Sequence, residues 1–182
     1  RTGKLRLHSR LLVPRRLLPP AVDSFKPAAH DRGITLTFEP LPESLPPVVA
    51  DPARVTQVLA NLLTNAIKFT PEGGRVSVCA GRDPLEAPGQ LCVSVADTGC
   101  GMEAADCARI FDELYQVERS TANSRQGLGL GLFICKELVT QMGGRIWVES
   151  EAGQGSTFNF SLPLWSFRDR LPGFLAAPAA EA

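Results

Sequence analysis

The sequence DPARVTQVLANLLTNAIKFT, residues 51–70, decides the fold, and its pattern predicts one amphipathic helix. Asp51 is an N-cap candidate, and Pro52 occupies the first helical position, where a missing N–H removes no helical hydrogen bond. The apolar residues recur at the spacing of one helical face and predict a buried stripe, which comprises Val55, Val58, Leu59, Leu62, Leu63, Ala66 and Ile67.

Three polar residues of this helix, Asn61, Asn65 and Lys68, are three or four positions apart and therefore share one edge of it. Polar groups beside an apolar stripe need partners or water. Two amides with an ammonium suit phosphate oxygens and a hydrated divalent cation. A surface helix with solvated polar residues explains the same pattern, so the helix alone does not decide between the two interpretations.

Composition and charge exclude several classes of protein. Of the 182 residues, 44% are hydrophobic and 21% are charged, which is typical of a soluble globular domain. With 19 basic and 19 acidic residues the net charge is zero, whereas nucleic-acid and anionic-membrane surfaces need a basic surplus. No apolar run is long enough for a membrane span, and residues 1–20 lack the apolar segment of a signal peptide. The chain begins with Arg rather than Met, so we expect a fragment of a longer protein.

The five cysteines are odd in number and form no CxxC pair, which argues against both a disulfide framework and a zinc ribbon. A reduced, cytoplasmic setting is therefore expected. The two histidines, His8 and His30, are isolated in the sequence and are typical of surface residues rather than of ligands or catalytic groups.

Helical and alternating patterns divide the rest of the chain. Residues 14–31 are helical in character, but Pro19 and Pro20 should break that helix or delay its start. Helical spacing also predicts helices over residues 104–111 and 130–142. Alternation predicts strands over residues 34–39, 76–80, 90–96, 145–149 and 156–162, with a short extended segment at 48–50. Hairpin-connected strands and single-striped helices favour an α+β fold, a two-layer sandwich with the helices on one face of a sheet.

Two glycine-rich stretches could contact a ligand. Asp97-Thr98-Gly99-Cys100-Gly101 directly follows an apolar strand, so its carboxylate could accept from an exocyclic amine while its glycines let a ligand approach the backbone. GLGLGL at 127–132 opens a helix and could present backbone N–H groups to an anion. It is neither a Walker A loop, since no Gly-Lys-Ser/Thr follows, nor a strong Rossmann fingerprint, since no strand precedes it. Taken singly, an ordinary turn and a flexible loop explain the two stretches.

The order of the three motifs is more specific than any one of them. Asn-x-x-x-Asn-x-x-Lys on a helix, DTGCGM at 97–102 and GLGLGL at 127–132 together resemble the N, G1 and G2 boxes of the ATP-binding domain of sensor histidine kinases. Residues 109–112 lie at the position of that family's F box, and GQGSTF at 153–158 resembles the turn near the end of the domain. The resemblance covers roughly residues 5–163 and implies the Bergerat fold, with a mixed, mostly antiparallel sheet.

The resemblance implies a role for each matching residue. Asn65 would bind Mg²⁺ together with phosphate oxygens, Asn61 would assist on the same helix face, and Lys68 would reach a phosphate; these are the expected catalytic residues. Asp97 would accept from the adenine amino group. Phe69 is expected near the adenine, although core packing explains it nearly as well. The other implied ATP contacts are Gly99, Gly101, Met102, Phe111, Gly127, Leu128, Gly129, Leu130, Gly131, Leu132 and, closing the base pocket, Thr157.

Residues 102–126 would form the ATP lid, and two positions depart from the family pattern. Gln116 stands where many members have Arg, so this position offers no cation to the γ-phosphate, and Arg119 or Arg125 could substitute for it. Leu128 stands where Thr is common, which removes one hydroxyl near the phosphates but no backbone donor. These departures leave a second hypothesis open, a nucleotide-binding module that regulates or docks partners without kinase activity.

The resemblance also implies partners. The family's phosphoacceptor His lies on a separate dimerisation helix, and neither His8 nor His30 has that setting. Residues 1–13 are therefore interpreted as a connector from an upstream dimerisation domain, residues 14–163 as the catalytic domain and residues 164–182 as a tail or linker. The expected partners are ATP, that histidine-bearing domain and a downstream response regulator or receiver domain. The isolated domain is expected to be mainly monomeric.

One position separates a kinase from other ATPases of the same fold. DNA gyrase and mismatch-repair ATPases have a Glu, the general base for water, at the position of Asn61. A neutral amide cannot deprotonate water. We therefore predict phosphoryl transfer to histidine, with slow ATP hydrolysis.

Overall fold

The computed structural model describes residues 6–82, 89–117 and 129–165. The helix predicted from residues 51–70 forms as the longest element, and the predicted strands form with small shifts at their ends. In chain order the elements are β1 (Arg10–Leu12), α1 (Pro14–Asp23), α2 (Lys26–His30), β2 (Thr35–Phe38), β3 (Val48–Ala50), α3 (Pro52–Phe69), β4 (Arg75–Arg82), β5 (Gln90–Asp97), α4 (Ala104–Cys107), α5 (Gly131–Gln141), β6 (Ile146–Glu151) and β7 (Gly155–Pro163).

Five of the strands form one sheet in the order β2-β4-β5-β7-β6. β2 pairs in parallel with β4, whereas the three remaining pairs of this sheet are antiparallel. β1 and β3 form a separate two-stranded antiparallel sheet. The main sheet is thus mixed and mostly antiparallel, which confirms the predicted α+β class.

The core lies between one face of the main sheet and the helices. All the apolar residues of the predicted α3 stripe are buried, which confirms the stripe. α3 contacts α1, α5 and strand β5. The strands contribute alternate residues, and Val78, Val93 and Phe160 are completely buried. Each large apolar side chain buried in this way contributes about 1.5–3 kcal/mol, so α3 and the sheet stabilise one another.

The start of α3 is held by the predicted cap. The Asp51 carboxylate accepts from the backbone N–H groups of Ala53 at 3.0 Å and Arg54 at 3.4 Å. It also accepts from the backbone N–H of His8 at 2.8 Å. These hydrogen bonds, led by the one from His8, lower the pKa of Asp51 although its burial opposes them. The carboxylate therefore caps α3 and ties the chain before β1 to it.

Two of the predicted helix boundaries are wrong. α1 does not break at Pro19 and Pro20 but continues to Asp23. Leu18 and Val22, one turn apart on either side of the prolines, are both buried, and this burial offsets the missing backbone donors. The helix predicted over residues 104–111 ends at Cys107, because the backbone bonds that follow join residues three apart, as in a turn.

Both ends of the described chain remain attached to the domain. The N–H of Trp165 donates to the carbonyl of Pro47 at 2.8 Å, and Leu164 forms a β-bridge with Val48, the first residue of β3.

Within the described ranges, no helix combines the length and the hydropathy needed to cross a membrane.

Candidate functional site

A cavity of about 350 Å³ opens between the end of α3, the loop after β5, the turn after α4 and the start of α5. Its volume falls in the range of small-molecule sites. Its lining residues are Thr64, Asn65, Lys68, Phe69, Asp97, Cys100, Gly101, Met102, Ile110, Tyr115, Gln116, Val117, Gly129, Gly131, Leu132, Ser156 and Phe158.

The last two turns of α3 contribute polar groups to the lining of the cavity. Asn65 and Lys68 line it, and both are partly buried. The Lys68 Nζ atom lies 5.0 Å from the centroid of the Phe69 ring, and Phe69 itself is 42% exposed. Phe69 is therefore a wall of the cavity rather than a core residue.

Asn61 points elsewhere. Its Nδ2 donates to Sγ of Cys135 at 3.5 Å, which joins α3 to α5, and Asn61 is not among the lining residues. Burial raises the pKa of the Cys135 thiol to about 11, with the Asn61 hydrogen bond opposing the shift. The thiol is therefore neutral at physiological pH, and the Asn61 amide is used in a neutral structural contact.

Asp97 is the one carboxylate among the described residues that line the cavity. Asp97, at the end of β5, accepts from the backbone N–H of Gly99 at 2.8 Å and from the backbone N–H of Ser156. Burial nevertheless raises the pKa of Asp97, because desolvation of the carboxylate outweighs these two bonds. Once ionised, Asp97 is an acceptor of fixed orientation that faces a partly apolar cavity.

Two glycines, one in the loop after Asp97 and one at the start of β7, allow neighbouring backbone segments to pack closely. Gly101 has φ of +60°, and a Cβ there would clash with the Glu151 carbonyl oxygen. Gly155 has φ of +91°, and a Cβ there would clash with the carbonyl oxygen of Asp97. Only glycine satisfies both the conformation and the contact at these positions.

An aromatic and charged cluster precedes the second undescribed gap in the chain, which spans residues 118–128. The Tyr115 hydroxyl donates to Oδ1 of Asp106 at 2.6 Å, and the Arg109 guanidinium lies 4.4 Å from the Tyr115 ring centroid. Phe111 does not line the cavity. Its ring packs edge-on against that of Phe158, a lining residue, with 6.2 Å between the two ring centroids. The cluster therefore holds one wall of the cavity against the end of α4.

The start of α5 forms a further wall. Gly131 and Leu132, its first two residues, line the cavity together with Gly129. Leu130 is the N-cap residue and makes no side-chain capping bond. The first backbone N–H groups of α5 therefore lie at the cavity, where they and the positive end of the helix dipole would stabilise a bound anion.

The structure brings together many, though not all, of the residues singled out in the sequence. Those that line the cavity are Asn65, Lys68, Phe69, Asp97, Gly101, Met102, Gly129, Gly131 and Leu132. Those that do not line it are Asn61, Gly99, Phe111, Leu130 and Thr157. Gly127 and Leu128, like Arg119 and Arg125, lie outside the described residues.

Sequence reasoning missed Ser156, which lines the cavity where Thr157 was expected. In the register of β5 and β7, Asp97 pairs with Ser156, whereas Thr157 pairs with Ala96. Side chains of paired residues share a face of the sheet and neighbours in a strand alternate, so Thr157 faces away from Asp97. The alternation of Phe158 and Phe160 with polar residues was the signal that could have identified Ser156. Other lining residues that were not predicted are Thr64, Cys100, Ile110, Tyr115, Val117 and Phe158.

Within the described ranges, no three His, Cys, Asp or Glu side chains are grouped as metal ligands. A cation in this cavity would therefore need the Asn65 amide oxygen together with oxygens of a bound ligand. Amide, phosphate and water oxygens are the ligands that Mg²⁺ prefers, so the residues present fit Mg²⁺ held jointly with a phosphate.

Comparison with known proteins agrees with this geometry. Residues 50–166 match the family described as "Histidine kinase-, DNA gyrase B-, and HSP90-like ATPase". The adaptive-response sensory kinase SasA of Synechococcus elongatus is 43% identical over 128 residues, which are 70% of this chain and 32% of that protein. The sensor histidine kinase GacS of Pseudomonas protegens is 41% identical over 177 residues, 94% of this chain and 19% of that protein. The chain thus spans a third or less of the length of these two curated relatives.

Solved structures show the same architecture. Full-length ShkA in complex with AMPPNP superposes with a TM-score of 0.76 at 34% identity, over 90% of this chain and 33% of that one. The nucleotide-free catalytic domain of the histidine kinase ThkA gives a TM-score of 0.71 at 26% identity, over 86% of this chain and 98% of that one. The chain therefore belongs to the histidine kinase-, DNA gyrase B- and HSP90-like ATPase family, in which it is an ATP-binding catalytic domain of the sensor histidine kinase type.

Proposed function

We propose that this domain binds ATP with Mg²⁺ and transfers the γ-phosphoryl group to a histidine on a separate dimerisation helix of the same protein. The observation that carries the proposal is that the Asp97 carboxylate, Asn65, Lys68 and the start of α5 line one cavity, which we divide into two ends. Asp97 marks a base end, whereas Asn65, Lys68 and the start of α5 mark a phosphate end.

The base end suits adenine. Its walls include Met102, Ile110 and Phe158, which are apolar and match the faces of a purine ring. The Asp97 carboxylate, oriented by the N–H groups of Gly99 and Ser156, would accept from the exocyclic amino group. A buried acceptor without a matching donor is unfavourable, so this end discriminates by hydrogen bonding as well as by shape.

The phosphate end suits a triphosphate with its cation. Lys68 would contact a phosphate as a point charge, and the backbone N–H groups of Gly131 and Leu132 would donate to phosphate oxygens at the N-terminus of α5. Asn65 would hold Mg²⁺ together with phosphate oxygens. When bound there, Mg²⁺ neutralises charge on the phosphates; the protein's own part is positioning and charge stabilisation.

Apart from Asp97, which is assigned to the base, no carboxylate or histidine that could activate water lines the cavity among the residues that the structure describes. Asn61, which occupies the position of the glutamate in the hydrolysing relatives, is a neutral amide that donates to Cys135. We therefore expect slow ATP hydrolysis and productive transfer only when the acceptor histidine is presented by its own domain.

The wider assignment follows from the same proposal. We infer that residues 14–163 form the body of the catalytic domain, with a connector to the dimerisation domain before them and a tail or linker after them. β1 and residues 164–165, which bond to β3 and Pro47, are packed onto this body. The further partner is a response regulator or receiver domain, and no nucleic acid is expected because the net charge is zero. The isolated domain is expected to be monomeric and to act in the cytoplasm, where ATP is supplied.

Incubation with ATP, Mg²⁺ and a separately produced dimerisation domain tests the proposal. We expect acid-labile phosphohistidine on the dimerisation domain, strongly reduced with Asn65→Ala and retained with Gln57→Ala. Gln57 is the matched control, since it lies on the same helix but outside the cavity lining. ATP binding without any phosphohistidine would favour the second hypothesis, a regulatory or docking module. Gln116 in place of Arg and Leu128 in place of Thr are the features that support it.

A further inference from the structure

A hydroxyl network behind the base end of the cavity bears on which base the domain selects; this inference rests on the proposed ATP binding. Ser150 of β6 pairs with Ser156 of β7. The Ser150 Oγ atom accepts from the backbone N–H of Met102 at 2.8 Å. It lies 2.9 Å from the carbonyl oxygen of Gly155 and 2.9 Å from Oγ of Ser156. One hydroxyl therefore joins the loop after β5 to the turn between β6 and β7.

The direction of each hydrogen bond follows from counting protons. A serine hydroxyl has one proton and two acceptor lone pairs. The N–H of Met102 can only donate and the carbonyl of Gly155 can only accept, so the Ser150 proton is directed to Gly155. Ser150 must then accept from Ser156. The Ser156 proton is consequently directed at Ser150.

This arrangement decides what Ser156 offers to a ligand. Ser156 lines the cavity beside Asp97, and its hydroxyl can only accept there because its proton is committed. The ionised Asp97 carboxylate has no proton to donate either. Two nearby backbone donors, the N–H groups of Gly99 and Ser156, are already bonded to Asp97. Asp97 and Ser156 therefore present acceptors alone, which match an amino edge and repel a carbonyl edge.

We propose that Ser150 is a positioning residue that makes this site select a 6-amino purine over a 6-oxo purine, by holding the Ser156 hydroxyl proton away from the cavity. Without Ser150, the Ser156 hydroxyl can rotate and donate to a 6-oxo group. A residue that merely anchored the loop at Met102 would instead affect nucleotides with either group equally.

Equilibrium binding of ATP and of ITP, whose base carries an oxo group at position 6, tests the proposal. We expect the wild-type domain to prefer ATP, and Ser150→Ala to reduce the ratio of the two affinities by about threefold to tenfold, the effect of one hydrogen bond. Ser150→Thr keeps the hydroxyl and should retain the ratio. If Ser150→Ala does not fold, Ser150→Cys replaces it, since a thiol is only a weak donor and acceptor.

A double variant separates positioning from anchoring. In a Ser156→Ala background no hydroxyl proton remains to be directed, so adding Ser150→Ala should leave the ATP to ITP ratio unchanged. Equal losses of ATP and ITP affinity in Ser150→Ala would overturn the role of Ser150 and leave ATP binding standing. A wild-type domain that binds no ATP would overturn the proposed function, and this inference with it.

Discussion

The base end and the phosphate end of the cavity are built differently. At the base end, Asp97 accepts from two backbone N–H groups and is packed against Gly99 and Gly155, with Ser156 as its partner in the register of β5 and β7. At the phosphate end, Asn65 and Lys68 project from the exposed side of α3 beside Phe69, which is 42% exposed. The comparison indicates that recognition of the base is preorganised, whereas the phosphate end is completed by the ligand and its cation.

Removing the charge of Asp97 should have the largest effect on affinity. Asp97→Asn keeps the size of the side chain but replaces an ionic acceptor by an amide, and we expect ATP affinity to fall by about tenfold to a hundredfold. The ratio of ADP to ATP affinity should stay constant, because the loss is at the base. Titration with a fluorescent ATP analogue measures the change in affinity. An ATP affinity unchanged by Asp97→Asn would contradict the assignment of the base end.

Distorting the loop at the base end should have the next largest effect. Gly101→Ala places a methyl group against the Glu151 carbonyl at a φ of +60°, and we expect a loss of both ATP affinity and at least about 1–3 kcal/mol of unfolding free energy. Gly73→Ala is the matched control, since Gly73 also has positive φ, +80°, but has nothing within 4 Å of its Cβ position. Gly73→Ala should lower stability less and leave ATP affinity unchanged. Equal effects of the two substitutions would show that the contact with Glu151 is unimportant.

Acid should weaken base recognition at a higher pH than an ordinary aspartate would allow. Burial raises the pKa of Asp97, and only the ionised form accepts from an amino group. ATP affinity should therefore decline as the pH falls through this raised pKa, and the decline should be absent in Asp97→Asn. If ATP affinity depends on pH in the same way in the wild type and in Asp97→Asn, the role assigned to the carboxylate is contradicted.

The cap of α3 gives the smallest expected effect on the site, although it belongs to the same helix as the phosphate end. Asp51→Ala should lower the unfolding free energy by about 0.5–2 kcal/mol and leave ATP affinity unchanged. Hydrogen bonds from His8 and the first turn lower the pKa of Asp51. Its stabilisation is complete above the unfolded pKa of about 3.9 and is lost as the pH falls through the lowered folded value. Urea unfolding at several pH values measures this loss of unfolding free energy. Asp51→Asn, which keeps an uncharged capping side chain, is the control and should show no such loss.

How far the sequence predicts the fold depends on whether the determining contacts are local. The boundaries and buried stripe of α3 follow from Asp51, Pro52 and a spacing within one helix, and they are confirmed. The break expected at Pro19 and Pro20 is wrong because burial against other elements outweighs the local effect of proline.

The candidate site shows the same difference between residues placed by local sequence and residues placed by contacts distant in sequence. The three motifs led to Asn65, Lys68, Asp97 and the glycines of the lining, because each motif is a short contiguous signal. Local alternation places Ser156 on the same face of β7 as Phe158, but its position beside Asp97 depends on the register of β7 against β5, which the alternation does not specify. Asn61 was expected on the ligand edge, but a contact between helices distant in sequence directs its amide to Cys135.

The Mg²⁺ dependence of ATP binding tests the division into two ends most directly. Dissociation constants for ATP would be measured with and without Mg²⁺ in the wild type, Asn65→Ala and Asp97→Asn. The account predicts that Asp97→Asn weakens binding by the same factor in both conditions, whereas Asn65→Ala weakens it mainly when Mg²⁺ is present. An Asn65→Ala domain that keeps the full Mg²⁺ dependence of the wild type would contradict the account.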